Sequence, residues 1–213
     1  MHTVVPFSGT DPCTRLSPVL EPAERREFAA AMRDDVLDAV DAAGGDPELV
    51  VPEPLDCDQA DVPVTVDDRD LSTAVNAALD ADAGPTAVVM ADLALAEPRT
   101  LAALFEADGD VVVAPGRGGG TNALVVRHPD FRVDYHGASF LDHLRAARDA
   151  GASVREFDSH RLATDVDEPD DLAELLLHGD GRATRWLRQA GFDLTVADGR
   201  VGVERTTSGG DPT

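Results

Sequence analysis

The chain has no lysine. All 18 of its basic residues are arginine, set against 41 acidic residues, 30 Asp and 11 Glu, for a net charge of −23. Nucleic-acid binding draws its affinity from basic patches, so acidity spread over a whole chain argues against it. Aromatic residues make up only 4%, which leaves Ala, Val and Leu to build a core. No apolar run approaches the roughly 20 residues needed to span a bilayer. The opening MHTVVPFSGTDP lacks the basic-then-apolar pattern of a secretory signal. There are two cysteines, Cys13 and Cys57, with no CxxC and no His at metal-ligand spacing to them. That argues against a cysteine-based zinc site, and a cytosolic compartment disfavours a disulfide. Together these absences predict a cytoplasmic protein with neither membrane nor nucleic acid as partner.

What is present is a dense field of like charge. Its self-repulsion destabilises a compact chain in dilute buffer, and molar salt screens it to a Debye length of about 3 Å. The acids are spread and not blocked, which favours adaptation to high salt, of the haloarchaeal kind, over a docking surface for a basic partner.

A length of 213 residues with 43% hydrophobic content suffices for one domain with a sizeable core. We assign residues 1–205 to that domain and read 206–213 as a disordered polar tail. Apolar strands are predicted at 3–7, 49–51, 64–66, 87–90, 110–114, 122–127 and 153–157. Helices are predicted at 22–43, 71–81, 98–107, 139–150, 169–178 and 181–190. Phe28, Met32, Val36 and Val40 recur at four-residue steps as one stripe. Residues 192–204 read as a hairpin around Asp198-Gly199. Helices alternating with wholly apolar strands predict an α/β three-layer sandwich with a mostly parallel sheet. Ligands of such sheets sit beyond the carboxyl ends of the strands, so the loops after Phe7, Met90 and Ala114 should share one edge.

Five segments carry residues suited to chemistry. SGTDPCTRLSPVL, 8–20, offers small residues that bare backbone N–H groups, and Arg15 as a fork for phosphate oxygens; read plainly, it is a surface loop. It is neither a Walker A motif nor the GxGxxG of a dinucleotide dehydrogenase. Asp92 follows the strand in VVMADLAL, where a carboxylate can hold Mg2+ beside substrate phosphates or simply cap a turn. PGRGGGTN, 115–122, places three glycines between strands and opens N–H groups to an anion, with Arg117, Thr121 and Asn122 as donors. RLATDVDEP, 161–169, crowds Asp165, Asp167 and Glu168 before a helix, as a metal site or a solvated loop. YHGASFLDH, 135–143, sets Gly137 and Ser139 ahead of a helix N-terminus; His136 and His143 are substrate ligands or structural residues. Trp186 reads as packing.

In order and spacing, VPF, TRLSPVL, MADLAL, APGRGGGTNALVVR, YHGASFLDH and TDVDEPDDLAELLLHGDG resemble the 2-phospho-L-lactate guanylyltransferase family of coenzyme F(420) biosynthesis, from Val4 to about Val203. The resemblance implies a GT-A-like nucleotidyltransferase fold of the nucleotide-diphospho-sugar transferase type. It implies GTP and 2-phospho-L-lactate as substrates, with Mg2+ required, and admits a homodimer. It assigns catalysis to Arg15 and Asp92, and metal binding to Asp92 and Asp167. Nucleotide binding goes to Pro6, Arg15, Asn76, Gly118 and Gly119, and the phosphorylated acid to Thr121, Gly137 and Ser139. Two positions depart from the family pattern. Cys13 stands where a basic residue is frequent, and Ala94 where proline is. Phosphoenolpyruvate or another phospho-acid as acceptor, and a non-catalytic nucleotide-binding homologue, are the competing expectations.

Overall fold

Alternation along a few valine-rich strands sets the architecture. The computed structural model describes residues 1–55, 62–81, 84–197 and 199–206. Cys57, Asp198 and positions 207–213 of the expected tail lie outside the described residues. In chain order the sheet strands are β1 (His2–Pro6), β2 (Asp46–Val51), β3 (Val64–Val66), β4 (Thr86–Val89), β5 (Val111–Pro115), β6 (Thr121–Val126) and β7 (Val154–Glu156). The helices are α1 (Pro22–Ala42), α2 (Leu71–Ala81), α3 (Pro98–Glu106), α4 (Ser139–Asp149), α5 (His160–Ala163), α6 (Asp171–His178) and α7 (Arg182–Gln189). The strands form one sheet in the order β3-β2-β1-β4-β6-β5-β7. Every pairing is parallel except those of β6, which runs against both β4 and β5.

Successive side chains of a strand face opposite sides, and here the two sides carry separate cores. Val5, Val51, Val89, Val112 and Val125 pack with α1 and α3 on one face. Val4, Val50, Val88, Val113 and Leu124 pack with residues of α2 and α4 on the other. This is the three-layer sandwich expected from the sequence. Each fully buried valine contributes roughly 1.5 kcal/mol or more, so a core poor in aromatics still stabilises the sheet. The stripe Phe28, Met32, Val36 and Val40 is wholly buried but divided. Its C-terminal half meets the sheet, and its N-terminal half joins α6, α7 and a separate hairpin of β8 (Phe192–Ala197) and β9 (Arg200–Arg205). Trp186 packs its ring 5.3 Å from Phe28.

Boundaries shift from the sequence reading by one to three residues. Pro47, of a type that usually marks strand edges, hid the first half of β2. The 3-10 turn Thr14–Leu16 and the four-residue α5 were too short to leave a periodic signal. A β-bulge interrupts the β5–β6 ladder. Ala114 pairs with Ala123 and Pro115 with Thr121, so Asn122 is skipped. Among the described residues, no helix is long and apolar enough to cross a membrane.

Candidate active site

β1, β4 and β5 are mutually parallel, and β6 reverses. Their carboxyl ends therefore share one edge with the first residues of β6. The loops after Phe7, Met90 and Ala114 meet there, as the strand pattern predicts. A cavity of about 240 Å³ opens at this edge, lined by Pro6, Phe7, Cys13, Met90 and Asp92 among others.

Asp92 stands at its floor. Its backbone oxygen accepts a hydrogen bond from Val166 N at 3.1 Å, which ties the loop after β4 to the acidic loop before α6. Its Oδ1 is buried and has no hydrogen-bond partner among the described residues. Burial, reinforced by the charges of Asp165 and Asp167, pushes its carboxyl up to about 7, against a weaker opposing pull from Arg15. A half-buried carboxylate with one buried, orphaned oxygen is incomplete without a cation or a proton.

Arg15 leaves the 3-10 turn and reaches Asp167, Nη1 to Oδ2 2.6 Å, with Glu168 Oε1 at 3.6 Å. Its side chain is 64% exposed, so the guanidinium is free to turn toward an incoming phosphate. The loop before it is pinned from α1. Arg25, itself buried, donates from Nη2 to Asp11 Oδ1 at 2.6 Å and from Nη1 to Pro12 O at 3.1 Å. Cys13 takes a left-handed conformation, φ 50° and ψ 46°, and its thiol is pushed up to about 12, first by burial and then by Asp92 and Asp167. It is a neutral thiol, so it brings no positive charge to this position.

The glycine loop is held from three sides. Gly116 N donates to Gly120 O at 2.9 Å, Gly119 N to Gly116 O at 3.0 Å, and Arg117 N to Ala163 O at 3.0 Å. A Cβ on Gly116 would come within 2.4 Å of Asn122 Oδ1, whereas one on Gly118 or Gly119 would meet nothing within 4 Å. Gly118 and Gly119 thus face open space. Arg117 turns its guanidinium to Asp171 Oδ1 at 2.5 Å. Asp171 Oδ2 accepts from Glu168 N at 3.0 Å. Asn122 Nδ2 donates to Leu162 O and to Asp165 Oδ1, each at 3.0 Å.

Thr121 and Ser139 are both buried and joined, Thr121 N donating to Ser139 Oγ at 3.0 Å. His143 Nε2 accepts from Asp134 N at 2.9 Å, so its proton sits on Nδ1 and is donated to Thr121 Oγ1 at 2.8 Å. Burial holds the imidazole down at about 4, which keeps it neutral and makes it a positioning group. With their oxygens already accepting, both hydroxyls keep a proton to donate to an anion. Gly137 lies at φ 62° with open space at its missing Cβ, on the exposed approach to α4. Tyr135 Oη is buried without a hydrogen-bond partner among the described residues, its ring edge-on to His143 at 5.1 Å.

The structure therefore gathers Pro6, Arg15, Asp92, Asp167 and the glycine loop at one edge, with Thr121 and Ser139 adjoining through β6. Asn76 does not join them by any hydrogen bond among the described residues. Its amide is engaged with Val133 in both directions, Nδ2 to O at 3.0 Å and Oδ1 from N at 2.9 Å. The sequence reading missed Arg25, the Arg117–Asp171 pair and the Asn122–Asp165 link. Each joins residues distant along the chain; Arg117, Asn122 and Asp165 stand out singly in the sequence, but their pairings do not.

A sequence profile described as guanylyl transferase CofC like matches residues 1–206. The chain is 65% identical over 205 residues to a 2-phospho-L-lactate guanylyltransferase of Halomicrobium mukohataei, covering 96% of this chain and 100% of that one. It is 61% identical over 206 residues to the protein of the same description from Haloferax volcanii, covering 96% and 98%. In fold it is similar to a nucleotidyl transferase from Methanothermobacter thermautotrophicus, with TM-score 0.56, 16% identity and coverage of 88% and 98%. A Desulfovibrio desulfuricans protein assigned to the nucleotide-diphospho-sugar transferases superposes with TM-score 0.67 at 16% identity, covering 88% and 94%.

Proposed function

The chain belongs to the family of CofC-like guanylyl transferases, and from that premise we propose that it transfers the guanylyl group of GTP to 2-phospho-L-lactate. The products are lactyl-2-diphospho-5′-guanosine and pyrophosphate, within coenzyme F(420) biosynthesis. The observation that carries the reading is the orphaned Oδ1 of Asp92 at the ligand edge, close enough to Asp165, Asp167 and Arg15 to feel their charges.

The chemistry is an in-line displacement. A phosphate oxygen of the acid forms a bond to the α-phosphorus of GTP, the bond from that phosphorus to the β-phosphate oxygen breaks, and pyrophosphate leaves with the electron pair. No covalent enzyme intermediate is required, so the protein supplies positioning and charge neutralisation. Arg15 leaves Asp167 and pairs with the triphosphate. The N–H of Gly118 faces the same anion, and Gly119, without a side chain, leaves room for it. Thr121 and Ser139 donate to the phosphate of the acid, with Gly137 giving access. Pro6 closes the cavity wall. Mg2+ fits the donor set, because Asp92 offers a desolvated carboxylate and Asp167 a second one, and Mg2+ takes one or two carboxylates plus substrate phosphates. Bound there, it would offset the negative charge of the triphosphate and of the leaving pyrophosphate.

The lysine-free acidic composition and the haloarchaeal relatives support work in the concentrated salt of a haloarchaeal cytoplasm. The test is pyrophosphate release from GTP and 2-phospho-L-lactate in molar KCl with Mg2+. Turnover that vanishes with EDTA is expected. Tight GTP binding with no release would overturn the reading.

A further inference from the structure

Outside this edge, His160, Glu174 and His178 converge. Each offers one ligand atom, and the three atoms lie within 4.8 Å of one another. We propose that they form a second cation site, for a borderline transition ion of the Zn2+ type, distinct from the Asp92 site.

Three observations carry this. The first is spacing. His160 Nε2 is 3.4 Å and His178 Nε2 3.6 Å from the same Glu174 Oε2. Other His–carboxylate pairs of this protein close to hydrogen bonds, His2–Glu48 at 2.8 Å and His136–Asp134 at 2.6 Å. The longer separations match neighbouring ligands of one tetrahedral ion, which bonds of about 2.0–2.1 Å place about 3.3–3.4 Å apart.

The second is the tautomer of His160. Buried Thr164 donates its hydroxyl proton to His160 O at 3.0 Å. Its oxygen, 3.3 Å from Nδ1, can then only accept, so Nδ1 carries the proton and Nε2 keeps a free lone pair. This is how an outer-shell partner prepares an imidazole for a metal. The third is rigidity. Glu174 and His178 are one turn apart on α6, and the two imidazoles meet edge-on with centroids 5.3 Å apart, which leaves both Nε2 atoms free to face one point.

Two imidazoles and one carboxylate suit Zn2+, Co2+ or Ni2+, whereas Mg2+ and Ca2+ favour oxygen sets. A bound ion would link α5 to α6 and so fix both ends of the 164–170 loop, which carries Asp165 and Asp167.

Co2+ serves as the probe. Chelator-treated full-length chain in molar KCl is titrated with Co2+ and followed by visible ligand-field absorption. One saturating equivalent with tetrahedral-type bands is expected. It should be displaced by Zn2+, unaffected by excess Mg2+, and weakened at least about tenfold in His160→Ala and in His178→Ala. Zn2+ should raise the melting temperature of the parent chain and leave both variants unmoved. His160→Gln and His178→Gln keep the side-chain bulk and should behave like the alanine variants. Absence of saturable Co2+ binding overturns the proposal, as does displacement by Mg2+ or affinity unchanged in the histidine variants.

Discussion

Asn122 holds Asp165, Nδ2 to Oδ1 3.0 Å, and with the same amide nitrogen holds the carbonyl of Leu162, also at 3.0 Å. One side chain from the second position of β6 thereby sets the acidic loop against the sheet. The bond positions Asp165, whose charge contributes to the field that raises Asp92.

Asn122→Ala should lower kcat about 10–100-fold, as loss of an outer-shell partner does. It should also cost about 1–3 kcal/mol of stability through the acceptors left unpaired. Gly116→Ala should reproduce much of both effects, because its new Cβ displaces the Asn122 amide. Gly118→Ala meets no neighbour, and its melting temperature should match the parent. Thermal melts of the three variants check the ordering.

The pH dependence of stability in metal-free buffer should carry two opposed contributions. Asp92 titrates near 7 when folded, above its unfolded value of about 3.9. The native state then holds the extra proton, so this contribution is full below the unfolded pKa and is lost as pH rises through about 7. His143 is depressed to about 4, below an unfolded value of about 6.5. Its contribution is full above the unfolded value and is lost as pH falls toward 4. Urea unfolding between pH 4.5 and 7.5, about the span of these pKa values, should show Asp92→Asn gaining a more positive slope and His143→Gln a more negative one than the parent. Parallel curves would remove both assignments.

Arg15→Ala should leave stability within about 0.5 kcal/mol of the parent, since an exposed ion pair is worth little. Its kcat/KM for GTP should fall by roughly 10–150-fold, the worth of a charged hydrogen bond to phosphate. Arg15→Lys should recover only part of this, having a point charge without the fork. Unchanged kinetics would leave Arg15 as a partner of Asp167 alone.

Cys13 should resist alkylation. A thiol held at about 12 carries roughly a thousandfold less thiolate at pH 8 than an ordinary one, and thiolate is the reactive form. In a Cys57→Ser background, iodoacetamide should modify the folded chain far more slowly than the chain in urea. Comparable rates would show that the thiol is not buried beside Asp92.

The sheet was legible because most of its strands carry short apolar runs rich in valine, and α1 because one stripe of four residues runs its length. The edge where the loops after Phe7, Met90 and Ala114 meet followed from the parallel order of β1, β4 and β5. The links across that edge were not legible. Arg25 to Asp11, Arg117 to Asp171 and Asn122 to Asp165 each span at least 14 positions, and a local pattern holds no record of such pairs. In a chain with 41 acids, composition also gives no reason to favour Asp165 over its neighbours. The His160 cluster stayed hidden for the same reason, its first histidine lying on a helix of a single turn.

The bulge at Asn122 has a cost that the surrounding sheet does not reveal. Toward β5, pairing passes from Ala123 to Thr121 and skips Asn122, which disrupts the ladder locally. Yet the defect is what frees the amide to leave the sheet pattern and meet the acidic loop. A designer who removed one residue to perfect the ladder would gain pairing and lose the tether on Asp165. At this one position the regularity of the ladder and the tether on Asp165 compete, and the chain has settled on the irregular strand.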